Sequence, residues 1–259
     1  MRSPKILGLT LVLGAAAAVA ALSAGAAPSA KARPALPPGA VQIADGVYSL
    51  GTRVVDGKQV QGLAFVDRAR AGGNGKKGGG GSCFAYLARD TRWLGAEPWS
   101  VDDSNAPISG MASLLANDVG TWEGAAGADI LGNGSVDRSY DANTAAVDNR
   151  NGAEFAPIAD AGVIAVTYTW GVFGGPPQGR ELVEWDMVFD SDSFPWSTSG
   201  ASTAMDFENI ATHELGHAMG LGHPSSTCTE ETMYAFASLG ETKKRDLNAG
   251  DVEGIDGLY

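Results

Sequence analysis

The sequence has few basic residues and few histidines. Its 259 residues include 18 Lys and Arg against 30 Asp and Glu, which gives a net charge of −12. Because negative surfaces repel phosphate groups, we expect neither nucleic acid nor an anionic membrane as a stable partner. The chain also lacks internal repeats and the ligand spacing of an EF-hand calcium loop. A composition that is 44% hydrophobic and 19% charged is instead typical of a globular protein.

Cysteine is scarce as well, with only Cys83 and Cys228 in the whole sequence. In an exported protein, two cysteines most simply form one disulfide bond. Such a bond would close a loop of roughly 145 residues and add up to about 5 kcal/mol of stability on the chain-entropy model. The alternative is that one cysteine caps a metal ion in a latent form of the protein.

The first 27 residues have the layout of a secretory signal peptide. Arg2 and Lys5 precede residues 6–22, which are apolar and uncharged, and small residues follow at 24–27. We therefore predict a secreted protein whose signal peptide covers residues 1–27. The alternative is an uncleaved membrane anchor, which the richness in alanine disfavours because alanine is a weak membrane residue.

Residues 28–82 are predicted to be a propeptide or an accessory segment. Within them, apolar residues on both sides of Asp56-Gly57 predict a small β-hairpin over residues 46–67. Residues 71–82 are mostly glycine, which is typical of a flexible linker. We therefore place a domain boundary here and the main domain at residues 83–259.

The main domain is predicted to belong to the α+β class. Apolar residues at helical spacing predict a helix over residues 108–122, for which polar residues at 103–105 offer caps. Runs of β-branched and aromatic residues at 162–170 and 182–189 predict two strands. Residues 123–156 are rich in Gly, Asn and Asp, and we expect loops there.

Two further helices are predicted in the last quarter of the chain. Thr203 and Asp206 resemble a capping box at the start of the first, and Gly220 is expected to end it. The second is expected to begin at residues 248–249. Its buried stripe is predicted to consist of Val252, Ile255 and Leu258.

Residues 213–223, HELGHAMGLGH, contain all three histidines of the chain. His213 and His217 are four residues apart on a predicted helix, so both imidazoles project from one face and can share a metal ion. Gly220 permits a left-handed turn that brings His223 round as a third ligand. Three protein ligands leave a fourth position open, which is typical of catalytic zinc. The alternative, an accidental spacing of core or solvated histidines, is disfavoured by the rarity of the pattern.

Glu214 follows His213 and lies about 100° further round the helix, beside the open position. A carboxylate that is not itself a ligand can take a proton from water bound to zinc, because zinc lowers the pKa of that water to about 7. Glu214 could then pass the proton to a leaving amine. The motif therefore predicts attack of water on a carbonyl group, with Glu214 as the general base.

The pattern HExxHxxGxxH, followed by Met233, resembles the metzincin clan of zinc endopeptidases. Within the clan the chain is most similar to the matrixins, especially their prokaryotic relatives. Besides the zinc helix and the Met233-Tyr234 turn, the similar stretches are residues 186–190, Trp196 and residues 248–259.

The resemblance implies a metzincin-like catalytic domain, in which a twisted mixed β-sheet carries packed helices and a zinc active-site helix. Met233 would lie beneath the zinc as a hydrophobic floor. The implied substrates are peptide bonds in proteins, bound in an extended form along an edge strand, and residues 162–170 or a neighbouring strand could be that edge. Calcium is frequent in the family, and residues 129–151 could hold one ion.

Some family features are missing from this sequence. The matrixin cysteine switch, PRCGxPD, is absent, and Cys83 lies in a different context, which favours a Cys83–Cys228 disulfide over a cysteine cap on the metal. Tyr234 directly follows Met233, whereas astacin-like and serralysin-like enzymes have their tyrosine two residues after the methionine. We therefore assign Tyr234 no catalytic role. His223 argues against the snapalysin-like branch, whose third ligand is Asp.

The sequence thus predicts a secreted, monomeric zinc endopeptidase that acts on proteins or peptides. One alternative is a zinc hydrolase of a non-peptide amide or of a single peptide end, because the motif specifies the activation of water but not the substrate pocket. Another alternative is a secreted, zinc-containing binding protein without catalysis. Glu214 argues against the latter, since a structural zinc site needs no base and is normally closed by four protein ligands.

Overall fold

The computed structural model describes residues 32–70, 82–142 and 147–259. The predicted signal peptide, residues 1–27, and nearly all of the predicted linker, residues 71–82, lie outside these residues. Within the described ranges, no helix has the length and apolar character needed to cross a membrane.

A mixed β-sheet of nine strands organises the described part of the chain. The strands are β1 (Val41–Ala44), β2 (Val47–Val55), β3 (Lys58–Ala69), β4 (Ala85–Tyr86), β5 (Trp99–Asp102), β6 (Gly134–Val136), β7 (Asn151–Ala156), β8 (Val163–Val172), β9 (Glu181–Asp190), β10 (Trp196–Ser197), β11 (Met205–Asp206), β12 (Leu221–Gly222) and β13 (Phe236–Ala237). The large sheet has the order β1-β2-β3-β8-β9-β7-β5-β6, and β13 pairs with β3. Neighbours from β1 to β9 are antiparallel, and β9, β7, β5 and β6 are parallel.

Strands β2 and β3 form the predicted hairpin. Asp56 and Gly57 make its turn, with φ angles of 50° and 78° that suit the left-handed region. However, β3 also pairs with β8, so the hairpin continues the sheet of the domain placed at residues 83–259. The assignment of residues 28–82 to a propeptide or accessory segment stays a prediction. In this structure β3 also covers the side of β8 that was considered as the substrate-binding edge, so residues 162–170 are not an exposed edge here.

Three α-helices lie in the described part of the chain: α1 (Met111–Ala126), α2 (Phe207–Ala218) and α3 (Ala249–Asp256). The larger apolar core lies between them and the sheet. Its largest fully buried members are Trp122, Trp185, Phe155, Phe189 and Phe207. A second core on the hairpin side is built around Trp170 and Tyr168. The predicted α+β fold, a mixed sheet with packed helices, is confirmed.

Helix α1 confirms the helix predicted at residues 108–122, but its start and surroundings differ. It begins after Gly110, whose φ of 76° turns the chain without any side-chain cap, so the caps predicted at 103–105 are wrong. The prediction of loops over residues 123–156 is wrong for the last residues of α1, for β6 and for β7. Strand β7 is buried throughout although its sequence, NGAEFA, contains no β-branched residue, which is why the pattern missed it.

Helix α2 carries the histidine motif and begins one turn later than predicted. Asp206 is its N-cap, and the Asp206 carboxylate accepts a 3.2 Å hydrogen bond from the backbone N–H of Asn209. Thr203 therefore does not cap it. Gly220 follows the end of α2 with a φ of 105°, so the predicted left-handed turn is confirmed. This turn directs the chain into β12 and towards the third histidine.

Helix α3 begins where the sequence predicted. Asn248 and Asp251 form a capping box in which each side chain accepts a hydrogen bond from the backbone of the other. Ile255 and Leu258 are buried, as expected. Val252 is 39% exposed, so its place in the predicted buried stripe is wrong.

A disulfide bond joins Cys83 to Cys228, with a Cα–Cα distance of 5.6 Å. It links the start of the main domain to the loop between β12 and β13. Because each sulfur is bonded to the other, neither cysteine is a thiol that could cap a metal ion. The structure thus contains the predicted pair.

Candidate metal centre

Helix α2 places His213 and His217 on one buried face. Both side chains are inaccessible to solvent, and the turn at Gly220 brings His223 to the same point. The Nε2 atoms of His217 and His223 are 3.1 Å apart, and those of His223 and His213 are 3.3 Å apart. Tetrahedral zinc with bonds of about 2.0–2.1 Å to nitrogen needs ligand atoms about 3.3–3.4 Å apart. The spacing of the imidazoles therefore fits one zinc ion.

The outer ring nitrogens of the two helical histidines are already engaged. Nδ1 of His213 donates to the carbonyl of Thr232 at 2.6 Å, and Nδ1 of His217 donates to the carbonyl of Leu221 at 2.8 Å. A neutral imidazole with its proton on Nδ1 has a lone pair on Nε2. Hydrogen bonds of this kind commonly orient metal-binding histidines. Two lone pairs that point at one spot need a cation between them.

A fourth group that could bind a metal ion, which the sequence analysis missed, comes from the hairpin. Asp67 at the end of β3 is 1% exposed, and its Oδ2 lies 3.1 Å from Nε2 of His213. Its Oδ1 lies 3.6 Å from Nε2 of His223. One ligand atom from each of Asp67, His213, His217 and His223 falls within a 4.8 Å cluster. The one possible sequence signal was a carboxylate at the end of an otherwise apolar run, Leu63 to Val66.

The charges at this centre favour a cation. Burial lowers the pKa of His213, and burial together with the other two histidines lowers the pKa of His217 well below its ordinary value. A lowered pKa favours the neutral imidazole, which is the form that binds zinc. Burial alone would raise the pKa of Asp67, but His213, His223 and Lys244 outweigh it and hold this pKa well below the usual range.

Glu214, the predicted base, lies in the same buried region but outside the ligand cluster. Its Oε2 accepts a 2.6 Å hydrogen bond from the hydroxyl of Thr167 in β8. Its Oε1 is buried without a hydrogen-bond partner in the described part of the chain. Burial, reinforced by the negative charge of Asp67, raises the pKa of Glu214 well above its ordinary value. The two neighbouring carboxyl groups thus have pKa values displaced in opposite directions, a pattern found at acid–base sites.

Met233 packs directly under α2. A Cβ atom added to Gly216 would lie 2.1 Å from the Met233 sulfur, so only glycine leaves room for this contact. The turn is held from α3, because the Asp251 carboxylate accepts hydrogen bonds from the backbone N–H groups of Thr232 and Met233 at 2.7 and 3.1 Å. Thr232 in turn orients His213 through its carbonyl. The sequence analysis missed this role of Asp251, because the pattern around it indicated only the start of a helix.

Lys244 is a second charged residue that the sequence analysis missed. It is inaccessible to solvent, donates to the carbonyl of Tyr234, and lies with its Nζ 3.3 Å from Nδ1 of His213. In the sequence it belongs to a run of basic residues, which ordinarily indicates an exposed face. The structure therefore places a buried positive charge behind the first imidazole.

The stretch considered for calcium, residues 129–151, has its described acidic side chains engaged elsewhere. Asp137 accepts hydrogen bonds from Ser139 and pairs with Arg150 at 2.6 Å, and Asp129 bonds the backbone of Gly132. Within the described ranges, the cluster of Asp67 and the histidines is the one group of His, Cys, Asp and Glu with metal-binding geometry. Calcium binding stays a prediction.

Residues 171–259 match the Peptidase_M10 family model, described as Matrixin. The chain is a relative of the matrixins. The matched region contains α2, the three histidines, Glu214 and Met233, whereas Asp67, Cys83 and Thr167 lie before it.

Several curated proteins share this region. Metalloendoproteinase 2-MMP of Arabidopsis thaliana is 40% identical over 88 residues, which are 32% of this chain and 21% of that protein. Metalloendoproteinase 4-MMP of the same plant is 33% identical over 116 residues, covering 43% of this chain and 29% of the relative. Human matrilysin is 39% identical over 74 residues, or 29% of this chain and 26% of matrilysin. The chain therefore spans less than a third of the length of these relatives.

Proposed function

We propose that this chain is a secreted zinc endopeptidase, active as a monomer, that hydrolyses peptide bonds in proteins. The observation that carries the proposal is a buried carboxylate, Glu214, beside three converging imidazoles but not among the ligands. A structural zinc site has no use for such a group. The names of the relatives, which are metalloendoproteinases, support the same class of reaction.

The histidines are proposed to hold zinc, which when bound would polarise the carbonyl of a peptide bond and lower the pKa of a water molecule. Glu214 would take a proton from the attacking water and return it to the amine of the leaving peptide. Burial, which raises the pKa of Glu214, makes its carboxylate a stronger base than an exposed one. Thr167 holds Oε2, which leaves Oε1 to receive the proton.

Asp67 favours a second candidate function, a zinc-containing binding protein without turnover. With Asp67 the cluster has four protein donors, and four protein ligands are typical of structural zinc. The two candidates differ in what they require of Glu214. An enzyme needs its carboxylate, whereas a structural site would tolerate its loss.

The experiment is digestion of unfolded casein by the zinc-loaded chain, with peptides identified by mass spectrometry. The digestion is run on the unaltered chain and on Asp67→Ala, each with and without a zinc chelator. An endopeptidase should produce internal cleavages that disappear on chelation and return with zinc. Cleavage only at chain ends would contradict an endopeptidase. Zinc-loaded protein that never cleaves in either form would favour the binding protein or a non-peptide substrate.

Glu214→Gln tests the mechanism in whichever form cleaves casein. It should lower kcat by at least about 100-fold, since positioned acid–base groups contribute about 10²–10⁴-fold. Its zinc content should stay at about one ion per chain. Glu253→Gln, an exposed substitution on α3, is the matched control and should change neither quantity. Activity that survives Glu214→Gln would contradict Glu214 as the base.

A further inference from the structure

Both carboxylate oxygens of Asp67 are buried, and the polar side chains that meet them belong to the centre itself: His213, His223 and Glu214. The Nε2 atoms of His213 and His223 lie 3.1 and 3.6 Å from these oxygens. The hydrogen bond from Nδ1 of His213 to Thr232 leaves a lone pair on Nε2. A buried carboxylate facing such a lone pair is unfavourable unless a cation lies between them. The geometry therefore gives Asp67 the place of a metal ligand.

Strand β3, which carries Asp67, lies between two other strands. It is antiparallel to β8, with Thr167 opposite Phe65, and parallel to β13, with Phe236 opposite Arg68. Addition of a strand beside an exposed strand is a common way for proteins to bind extended peptides. In this chain β3 already occupies the position beside β8 that such a peptide would take.

Side chains of β3 also occupy the space around the metal centre. The ring of Phe65 stacks on His217 with centroids 4.0 Å apart and meets His223 edge-on at 6.0 Å. Phe65 and Leu63 line a cavity of about 390 Å³ beside His223, together with Tyr234 from the turn after Met233. An incoming peptide would therefore compete with β3 both for backbone pairing and for contact with the imidazoles.

We propose that Asp67 is the fourth protein ligand of the zinc and that β3 occupies the peptide position along β8, so that the chain is self-inhibited until β3 is displaced. The proposal rests on the endopeptidase function proposed above. The proposal explains why the centre has four protein ligands and also a base. The four ligands close the metal site in the latent form, whereas Glu214 acts in the active form. Displacement of Asp67 would open the fourth position.

The test uses the full chain loaded with cobalt(II), whose visible absorption reports its ligands, and acetohydroxamate, a small metal-binding probe. Asp67→Ala should weaken zinc binding by about 10-fold or more, since even the loss of an outer partner of a ligand costs 10–100-fold. It should also change the cobalt spectrum and bind acetohydroxamate at least about 10-fold more tightly than the unaltered chain. Asp67→Asn, of nearly the same shape, should bind the probe more tightly too. Asp56→Asn, in the exposed hairpin turn, is the matched control.

Equal zinc affinity, cobalt spectrum and acetohydroxamate binding in the unaltered chain and in a folded Asp67 variant would overturn the proposal. If Asp67→Ala misfolds by circular dichroism, Asp67→Asn alone decides the same comparison. Casein hydrolysis at least about 10-fold faster in the Asp67 variants would support self-inhibition. Altered metal binding with no hydrolysis in any variant would uphold Asp67 as a ligand and overturn the endopeptidase function instead.

Discussion

The hydroxyl of Thr167 donates a 2.6 Å hydrogen bond to Oε2 of Glu214. Both side chains are inaccessible to solvent, so water does not compete for this bond. Thr167 lies on β8 and Glu214 on α2, and the bond therefore joins the strand beside the proposed peptide position to the helix of the metal centre. A group that fixes one oxygen of a base in this way determines where the other oxygen points.

Thr167→Val should lower kcat by about 10-fold with little change in KM, because it removes the donor while keeping the shape of the side chain. It should also cost about 1–3 kcal/mol of stability, since a buried carboxylate oxygen loses its partner. Thr167→Ser keeps the hydroxyl and should recover most of kcat. The measurement is steady-state kinetics on the form that cleaves casein, with zinc content as the control. An unchanged kcat in Thr167→Val would contradict a positioning role.

Gly216→Ala should destabilise the fold by about 1–3 kcal/mol or more. The added Cβ would lie 2.1 Å from the sulfur of Met233 and 2.9 Å from the ring of Trp122, and overpacking of a tight core has costs of this size. Gly120→Ala, on the exposed side of α1 with nothing within 4 Å, is the matched control and should stabilise by up to about 1 kcal/mol. Urea unfolding measures both changes. Equal effects of the two substitutions would show that Met233 does not pack against α2 as described.

Loss of the disulfide should lower the free energy of unfolding by about 2–5 kcal/mol, because the bond closes a loop spanning 145 positions. Cys83→Ala, Cys228→Ala and the double variant should lose nearly the same amount, since any of them removes the same bond. Chemical denaturation of all three variants measures this. Additive losses from the two single substitutions would contradict the Cys83–Cys228 pair.

Stability should depend on pH through Glu184. This residue of β9 is inaccessible to solvent, and burial raises its pKa to about 7, although Oε2 accepts a 2.7 Å hydrogen bond from the N–H of Asp148. A native state that holds the proton more tightly is favoured below the unfolded pKa of about 4.3, and this advantage disappears as pH rises through 7. The expected loss is on the order of 3 kcal/mol.

The measurement is urea unfolding between pH 5 and pH 8, with a chelator present so that zinc binding does not contribute. Glu184→Gln should flatten the decline with pH, whereas the exposed control Glu253→Gln should keep it. A Glu184→Gln variant that loses as much stability as the unaltered chain would assign the decline to another group.

Local patterns in the sequence predicted much of the metal centre. His213 and His217 share a helix face because they are four residues apart, and Gly220 ends that helix because glycine accepts a positive φ at no steric cost. The hairpin turn at Asp56-Gly57 follows from the same kind of local preference. Each of these features depends on residues within about one or two turns of chain, so the amino-acid order alone determined them.

No local sequence pattern predicts that Asp67 and Thr167 lie at the centre. Both positions depend on the pairing of β3 with β8 and on how α2 packs against them. The sequence of a strand does not identify the strand that pairs with it, because the alternation of apolar and polar residues indicates only which face is buried. The sequence therefore determined the grouping of the three imidazoles and of Glu214 beside them, while the tertiary structure decided which carboxylate lies against the imidazoles and which hydroxyl binds Glu214.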